Sequence, residues 1–499
     1  MFSRLISKMF RVSTYGCFVL FLMSGWSWQS CDADATFGFN IHHRFSDPVT
    51  AMLDINNDLP EFGTMEYYTA MAHRDHFHGR RLADRTRLTF AAGNETFHIP
   101  DLGFLYYANV SVGTPELWFL VALDTGSGLF WLPCDCTTNC AQSFEFSPTE
   151  TIDFNIYSLS TSSSGKEMSC TNPLCGRGCI PSQSHCPYRV EYLSANTSST
   201  GYVVEDVLHL RTDTGPSKFI DVTIPFGCGV IQTGHFLEAG APNGLFGLAM
   251  DAISLPSVLA RQKLAADSFS MCFSRDGIGR ISFGDKGSHN QGQTPVTPNL
   301  SELYFVRITH VAVGHNVSAA SMDVIFDTGT SFTYLTDPVY SLLSEQFNTQ
   351  VRDRRARVDP SNPFQFCYEM TSSPEDLIVP PINLTFGGGS QFSVVHPWIT
   401  IATEDGTLFY CLAVIKSEHD GINIIGENFM TGYRIVFDNE KPAIGWMASD
   451  CSDEVPFIPS PPVPGSRARR SAALSSLIHG YLAIAILVIQ VLSVQLILL

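Results

Sequence analysis

Positive charge is scarce in this 499-residue chain: 30 Lys and Arg stand against 48 Asp and Glu, for a net charge of −18. Such a surface repels a phosphate backbone, which excludes nucleic acid as a partner. Charge of either sign is sparse, at 16% against 44% hydrophobic residues with 36 Phe. A chain of that composition has enough apolar surface to offset the entropy of ordering, so global disorder is excluded. Gly (38) and Pro (28) are frequent but have no fixed spacing, which rules out a collagen helix and a helical solenoid. At roughly 100 to 200 residues per domain, the length accommodates two to four domains.

The two ends read as addresses. Arg4, Lys8 and Arg11 precede an apolar run from Gly16 to Met23, and small residues follow to Ala33 and Ala35. This is the layout of a cleavable secretory signal over residues 1–35, with a buried N-terminal helix as the alternative. At the other end, Tyr481 to Leu499 is uncharged and long enough to span a bilayer. Arg467, Arg469 and Arg470 lie before it and no Lys or Arg follows, the wrong asymmetry for a spanning helix. Small residues Ser471, Ala472 and Ala473, then a short spacer and the apolar tail, fit a glycosylphosphatidylinositol (GPI) attachment signal over 471–499, with Ser471 the expected attachment residue. Gly465 and Ser466 are the alternative attachment site, and a spanning C-terminal helix the alternative anchor. Between Cys451 and this signal, residues 452–470 are Pro-rich and read as an extended linker. The expected location is the outer leaflet of the plasma membrane.

Cysteine use agrees with that compartment. Of fourteen Cys, Cys17 and Cys31 fall in the signal, leaving twelve, which could form six disulfides in an oxidising lumen. Asn94, Asn109, Asn196, Asn299, Asn316 and Asn383 each begin an N-x-[ST] sequon, the expected glycosylation sites.

From Phe90 to Cys451 the chain reads as mostly β: short runs of Val, Ile, Phe, Tyr and Thr broken by Gly, Pro, Asn and Ser. Strands are expected at 106–112, 117–123, 202–210, 222–226, 304–313, 323–326 and 433–437, and helices at 256–263 and 338–350. Within this pattern the chain repeats itself. Asp124-Thr125-Gly126-Ser127 follows the apolar run LWFLVAL, and Asp327-Thr328-Gly329-Thr330 follows MDVIF. Downstream of the first lies Leu245-Phe246-Gly247, and downstream of the second Ile424-Ile425-Gly426. Two such tetrapeptides, both after apolar strands, are far from chance.

A carboxylate at the end of a buried strand is costly unless donors reach it. Gly126 and Gly329 let backbone approach the acid, and the hydroxyls of Ser127 and Thr330 are placed to donate. If the turns face one another, Thr125 and Thr328 could link them. Two carboxylates held close cannot both ionise, so they share a proton. The ionised one then takes a proton from water while the neutral one donates to a carbonyl oxygen, with no metal and no cofactor. The alternative is that each DTG is an ordinary turn.

These motifs, DTGSGLFWLPCDC (124–136), DTGTSFTYL (327–335), FGCG (226–229), NGLFGL (243–248) and IIGENF (424–429), resemble those of the pepsin-like aspartic endopeptidases, most closely an atypical plant branch. The resemblance implies a mostly β, bilobal fold, with two β-rich lobes (91–300 and 301–451) and a cleft between them. It implies a monomer with Asp124 and Asp327 catalytic, acting on protein or peptide substrates. It also implies a flap whose Tyr192 bonds Trp131, with Tyr188 as the competing flap residue. Gly128 stands where an acidic residue is common, and LSANTSSTG after Tyr192 replaces a Gly-rich turn. By resemblance residues 36–90, with the basic group His73, Arg74, His76, His78, Arg80 and Arg81, correspond to a propeptide that could lie across an acidic cleft at neutral pH, a solvated linker being the alternative.

Seven Cys from Cys134 to Cys186 mark a disulfide-stapled insertion (134–186) before the flap, a zinc site being the competing account. By resemblance Cys367 pairs with Cys411, leaving Cys272 and Cys451 as partners. The expected activity is aspartic-type endopeptidase. The alternatives are a catalytically inactive binding or inhibitor protein on the same fold, and a structural surface glycoprotein.

Overall fold

The computed structural model describes residues 37–43 and 105–451, apart from short internal stretches, and these belong to one compact unit. The expected signal, most of the expected propeptide, Asn94, Asn299, the linker and the anchor signal with Ser471 lie outside the described residues. No helix among the described residues is long and apolar enough to cross a membrane.

Strand period shows directly in burial. Phe305–Val313 alternates buried and more exposed positions, as a strand with one face in the core must. The second half of Leu117–Asp124 is buried without interruption, because that strand is covered on both faces. All seven expected strands form, with small shifts of boundary or within longer strands such as Ser198–Arg211 and Phe219–Thr233. The expected helices are Leu255–Arg261, entered through Pro256, and Val339–Gln350.

A fourteen-stranded sheet and a seven-stranded sheet dominate. Each contains the same small arrangement. In the first, Leu117–Asp124 runs parallel to Leu245–Gly247, with Gly247 opposite Asp124. In the second, Asn316–Phe326 runs parallel to Asn423–Ile425, with Phe326 opposite Ile425. The strand after each DTG turn, Trp131–Pro133 or Thr333–Leu335, pairs antiparallel with that inserted strand and parallel with a further one. The sequence repeat is thus a structural repeat.

The large sheet also crosses the boundary expected at residue 300. Tyr433–Asp438 and Ala443–Ala448, from the end of the chain, pair with each other, with Ser268–Phe273 and with Gly292–Pro295. Phe37–His43 lies between Ile278–Phe283 and Tyr106–Val112, so part of the expected propeptide is a strand of this sheet. Beneath it Phe269 stacks on Phe437 at 4.8 Å, and Tyr304 meets Phe437 at 4.6 Å. Such aromatic contacts, of which Phe269–Phe437 joins the two sequence halves, contribute on the order of 1 kcal/mol each beyond burial.

Candidate active site

Each Asp is the last step out of a buried strand into a tight turn, and each turn satisfies its own acid. Gly126 N–H donates to Asp124 Oδ1 (2.8 Å) and Ser127 Oγ to Oδ2 (2.7 Å). Gly329 N–H donates to Asp327 Oδ1 and Thr330 Oγ1 to Oδ2, both at 2.8 Å. Asp124 is 0% and Asp327 1% exposed, so these donors offset the loss of water that burial imposes.

The turns are cross-linked. Thr125 N–H donates to Thr328 Oγ1 (3.1 Å) and Thr328 N–H to Thr125 Oγ1 (3.0 Å). Each hydroxyl in turn donates to the strand before the other turn, Thr125 Oγ1 to Phe326 O and Thr328 Oγ1 to Leu123 O. These four bonds join positions 201 to 205 residues apart. The acids converge in consequence. A Cβ on Gly126 would stand 2.9 Å from Asp124 Oδ1 and 2.9 Å from Asp327 Oδ1, so this position admits only glycine.

Next to the first turn is an aromatic group. Trp131 Nε1–H donates to the Tyr192 hydroxyl at 2.7 Å, and both side chains are buried. The ring of Phe236 packs edge-on against both, at 4.7 Å from Trp131 and 4.8 Å from Tyr192. Phe236 lies in the one-turn helix His235–Glu238, and no periodicity in its sequence singles it out. Tyr188, the competing flap residue, instead exchanges a hydrogen bond with Ser199 (2.8 Å) and lies against Gly227. Burial raises its hydroxyl pKa well above the usual range.

Gly128 acquires a physical reason. A Cβ there would meet Asp251 Cβ at 2.7 Å and its Oδ2 at 2.8 Å, so the acid supplied by Asp251 fills the space beside the turn. Asp251 follows Leu248 and Ala249, whose N–H groups donate to Asp124 O and Ser127 O. Burial and the neighbouring Asp251 hold the carboxyl of Glu302 above its ordinary pKa. Glu427, missed by sequence reasoning although it sits in IIGENF, is buried. Its N–H donates to Thr330 O, and its Oε1 accepts from Tyr106 N–H (3.3 Å).

All twelve remaining cysteines are paired. Cys367–Cys411 and Cys272–Cys451 form as expected. In the insertion, Cys136–Cys140, Cys170–Cys179 and Cys175–Cys186 close locally, while Cys134 reaches Cys228. The sulfurs that came closest to a metal set, Cys170, Cys175 and Cys179, or Cys134 and Cys228 beside Asp135, are therefore disulfide sulfurs and not thiolate ligands, so disulfides replace the zinc alternative. Among the described sequon residues, Asn109, Asn196 and Asn316 are exposed; Asn383 is half-buried, and its Oδ1 accepts from Ser393 Oγ.

Two family profiles match in tandem: xylanase inhibitor N-terminal over residues 106–285 and xylanase inhibitor C-terminal over 303–448. The chain is 50% identical over 448 residues to aspartyl protease family protein 1 of Arabidopsis thaliana, covering 88% of this chain and 86% of the relative. It is 35% identical to aspartic proteinase-like protein 1 of the same plant, covering 84% and 82%. Among solved structures, basic 7S globulin from soybean shares the fold at a TM-score of 0.56 and 20% identity, covering 71% of this chain and 96% of the globulin. With the paired turns, the two-lobed β architecture and half-identity to a protein bearing that name, the chain belongs to the pepsin-like aspartic protease family.

Proposed function

We propose that this protein is an aspartic endopeptidase that hydrolyses peptide bonds with a water held between Asp124 and Asp327. The observation that carries the reading is the convergence of two buried carboxylates on the single point beside Gly126. Two acids so placed share one proton. The ionised acid removes a proton from water as its oxygen attacks the carbonyl carbon, and the neutral acid donates its proton to the carbonyl oxygen. The tetrahedral adduct then collapses: the acid that took the proton from water passes it to the amide nitrogen, the C–N bond breaks, a hydroxyl of the adduct returns a proton to the other acid, and a carboxylic acid and an amine leave with the pair restored. The aromatic group of Tyr192 and Phe236 supports a preference for hydrophobic residues flanking the cleaved bond, with Tyr192 as the covering residue.

The reading is tested with purified, folded Asp124→Asn on an unfolded protein at acidic pH. The expected result is loss of cleavage, and a variant as fast as its parent would end it. A second reading has a specific motive. The matching profiles are described as those of xylanase inhibitors, and the soybean globulin shares the fold. Under that reading the chain binds without cleaving. A peptide carrying a non-cleavable tetrahedral carbon separates the two: it inhibits turnover by the enzyme, and there is no turnover for it to inhibit in the binding protein.

We further propose that a secretory signal in residues 1–35 and a GPI attachment signal in residues 471–499 direct the enzyme to the outer leaflet of the plasma membrane. Release from intact cells by a phosphatidylinositol-specific phospholipase is the expected result; retention favours a spanning helix.

A further inference from the structure

The flap region is built as more than a hairpin. Pro187–Glu191 pairs with the start of Ser198–Arg211, closing at Tyr192 N–H to Thr197 O (2.8 Å). Phe219–Thr233 then lies along the other side of Ser198–Arg211 over nearly its whole length, ending with Thr233 opposite Ser198. The return limb is therefore the middle strand of three. A two-stranded hairpin alone is marginal in water, whereas a third strand supplies the second row of backbone bonds.

At the far end of this third strand the side chains form a clasp. Thr233 Oγ1 donates to Asn196 O (2.5 Å) and accepts from Ser198 Oγ (2.8 Å). His235 N–H donates to Thr197 Oγ1 (3.1 Å). Asn196 adopts a left-handed backbone at φ 59°, a conformation that Asn tolerates better than most residues. Thr197 and Ser198 are buried, at 2% and 7% exposure. The same segment that supplies Thr233 continues into the helix that carries Phe236 against Tyr192. One short stretch, 233–236, thus grips the return limb on one side and the ring of Tyr192 on the other.

We propose that Thr233 is a positioning residue: its hydroxyl clasps Asn196–Ser198, so that Tyr192 is already ordered before a substrate arrives. The proposal rests on the protease reading for its effect on turnover, but the clasp is measurable without turnover. An ordered flap has no ordering cost left at binding. Loosening it adds that cost equally to the ground state and the transition state, so KM rises while kcat holds.

The test compares Thr233→Val, which keeps the β-branched shape and removes the hydroxyl, with Thr233→Ser, which keeps the hydroxyl. In the full chain, amide exchange of the segment 192–198 is read first, with no substrate. Faster exchange in the Val variant, and parental exchange in the Ser variant, is expected. On a peptide substrate the Val variant should show KM raised about tenfold with kcat within twofold, and the Ser variant values near the parent. Ser198→Ala removes one of the two bonds with less change of shape, and its exchange should fall between. Parental exchange in both Val and Ala variants overturns the proposal, as does a fall in kcat at unchanged KM. If the parent lacks peptidase activity, the protease reading fails while the exchange result still decides the clasp.

Discussion

The two DTG turns match each other nearly atom for atom, and their surroundings do not. Each Asp accepts one backbone N–H and one hydroxyl at 2.7–2.8 Å, and each Thr reaches across to the other turn. Around the first turn lie Trp131, Tyr192, Phe236, the acid of Asp251 and a region held by four disulfides. Around the second lie Glu427 and Asn428, which bond Thr330 O and Ser331 O through backbone, in a half with the single internal disulfide Cys367–Cys411. Symmetry resides in the chemistry, asymmetry in access and bracing. On the proposed mechanism that division has a reason: two acids sharing one water need equal settings, whereas a substrate is covered from one side.

The comparison breaks most severely at the acids. Asp124→Asn and Asp327→Asn should each lower kcat by about 10³-fold or more, and to a similar degree, in a steady-state peptide assay. A large inequality between them would assign unequal roles to the two halves. Disulfide removal tests the bracing. Opening Cys134–Cys228, separated by 94 positions, should cost somewhat more than opening Cys367–Cys411, separated by 44: about 4.7 against about 4 kcal/mol on a chain-entropy scale, read by denaturant unfolding.

A smaller effect distinguishes two acids outside the site, Asp206, which is buried, and Asp353, which is half-buried. Asp206 accepts from Tyr157 (2.6 Å), Ser164 (2.6 Å) and the Val207 N–H (2.7 Å). Burial pushes its carboxyl up, but these donors and Ser162 outweigh it and hold the pKa below the ordinary value. Its stabilisation is present above the unfolded-state pKa of about 3.9 and is lost as pH falls through the lower folded value. Asp206→Asn should therefore cost about 2 kcal/mol at neutral pH and flatten the acid limb of a stability profile. In the C-terminal half, Asp353 accepts from Tyr410 and Thr371 alone of the side chains described, and Asp353→Asn should cost less. The smallest effect is on mass: in protein expressed through a glycosylating secretory pathway, Asn109→Gln, Asn196→Gln and Asn316→Gln should each remove one glycan, with little change in stability.

Legibility in the sequence followed the range of the interaction. Tyr106–Val112 and Leu117–Asp124 were readable because β-rich runs bounded by Gly and Pro report a local preference. The turns were readable because their donors, Gly126, Ser127, Gly329 and Thr330, lie within three residues of the acids they serve. Phe236 and Asp251 were not, since each acts on residues more than forty positions away and belongs to no local pattern. The expected boundary at residue 300 was crossed for the same reason: Tyr433–Asp438 carries an ordinary strand pattern, and nothing in that pattern names Ser268–Phe273 as its neighbour.

By itself, then, the sequence determined that two acid turns of one design recur in a β-rich chain, because turn chemistry and strand period are properties of a few adjacent residues. Only tertiary structure decided that the turns meet, that Asp251 fills the place beside Gly128, and that Thr233 holds the return limb at Asn196–Ser198. Those are contacts between distant segments, and their geometry exists only once the sheets have brought the segments together.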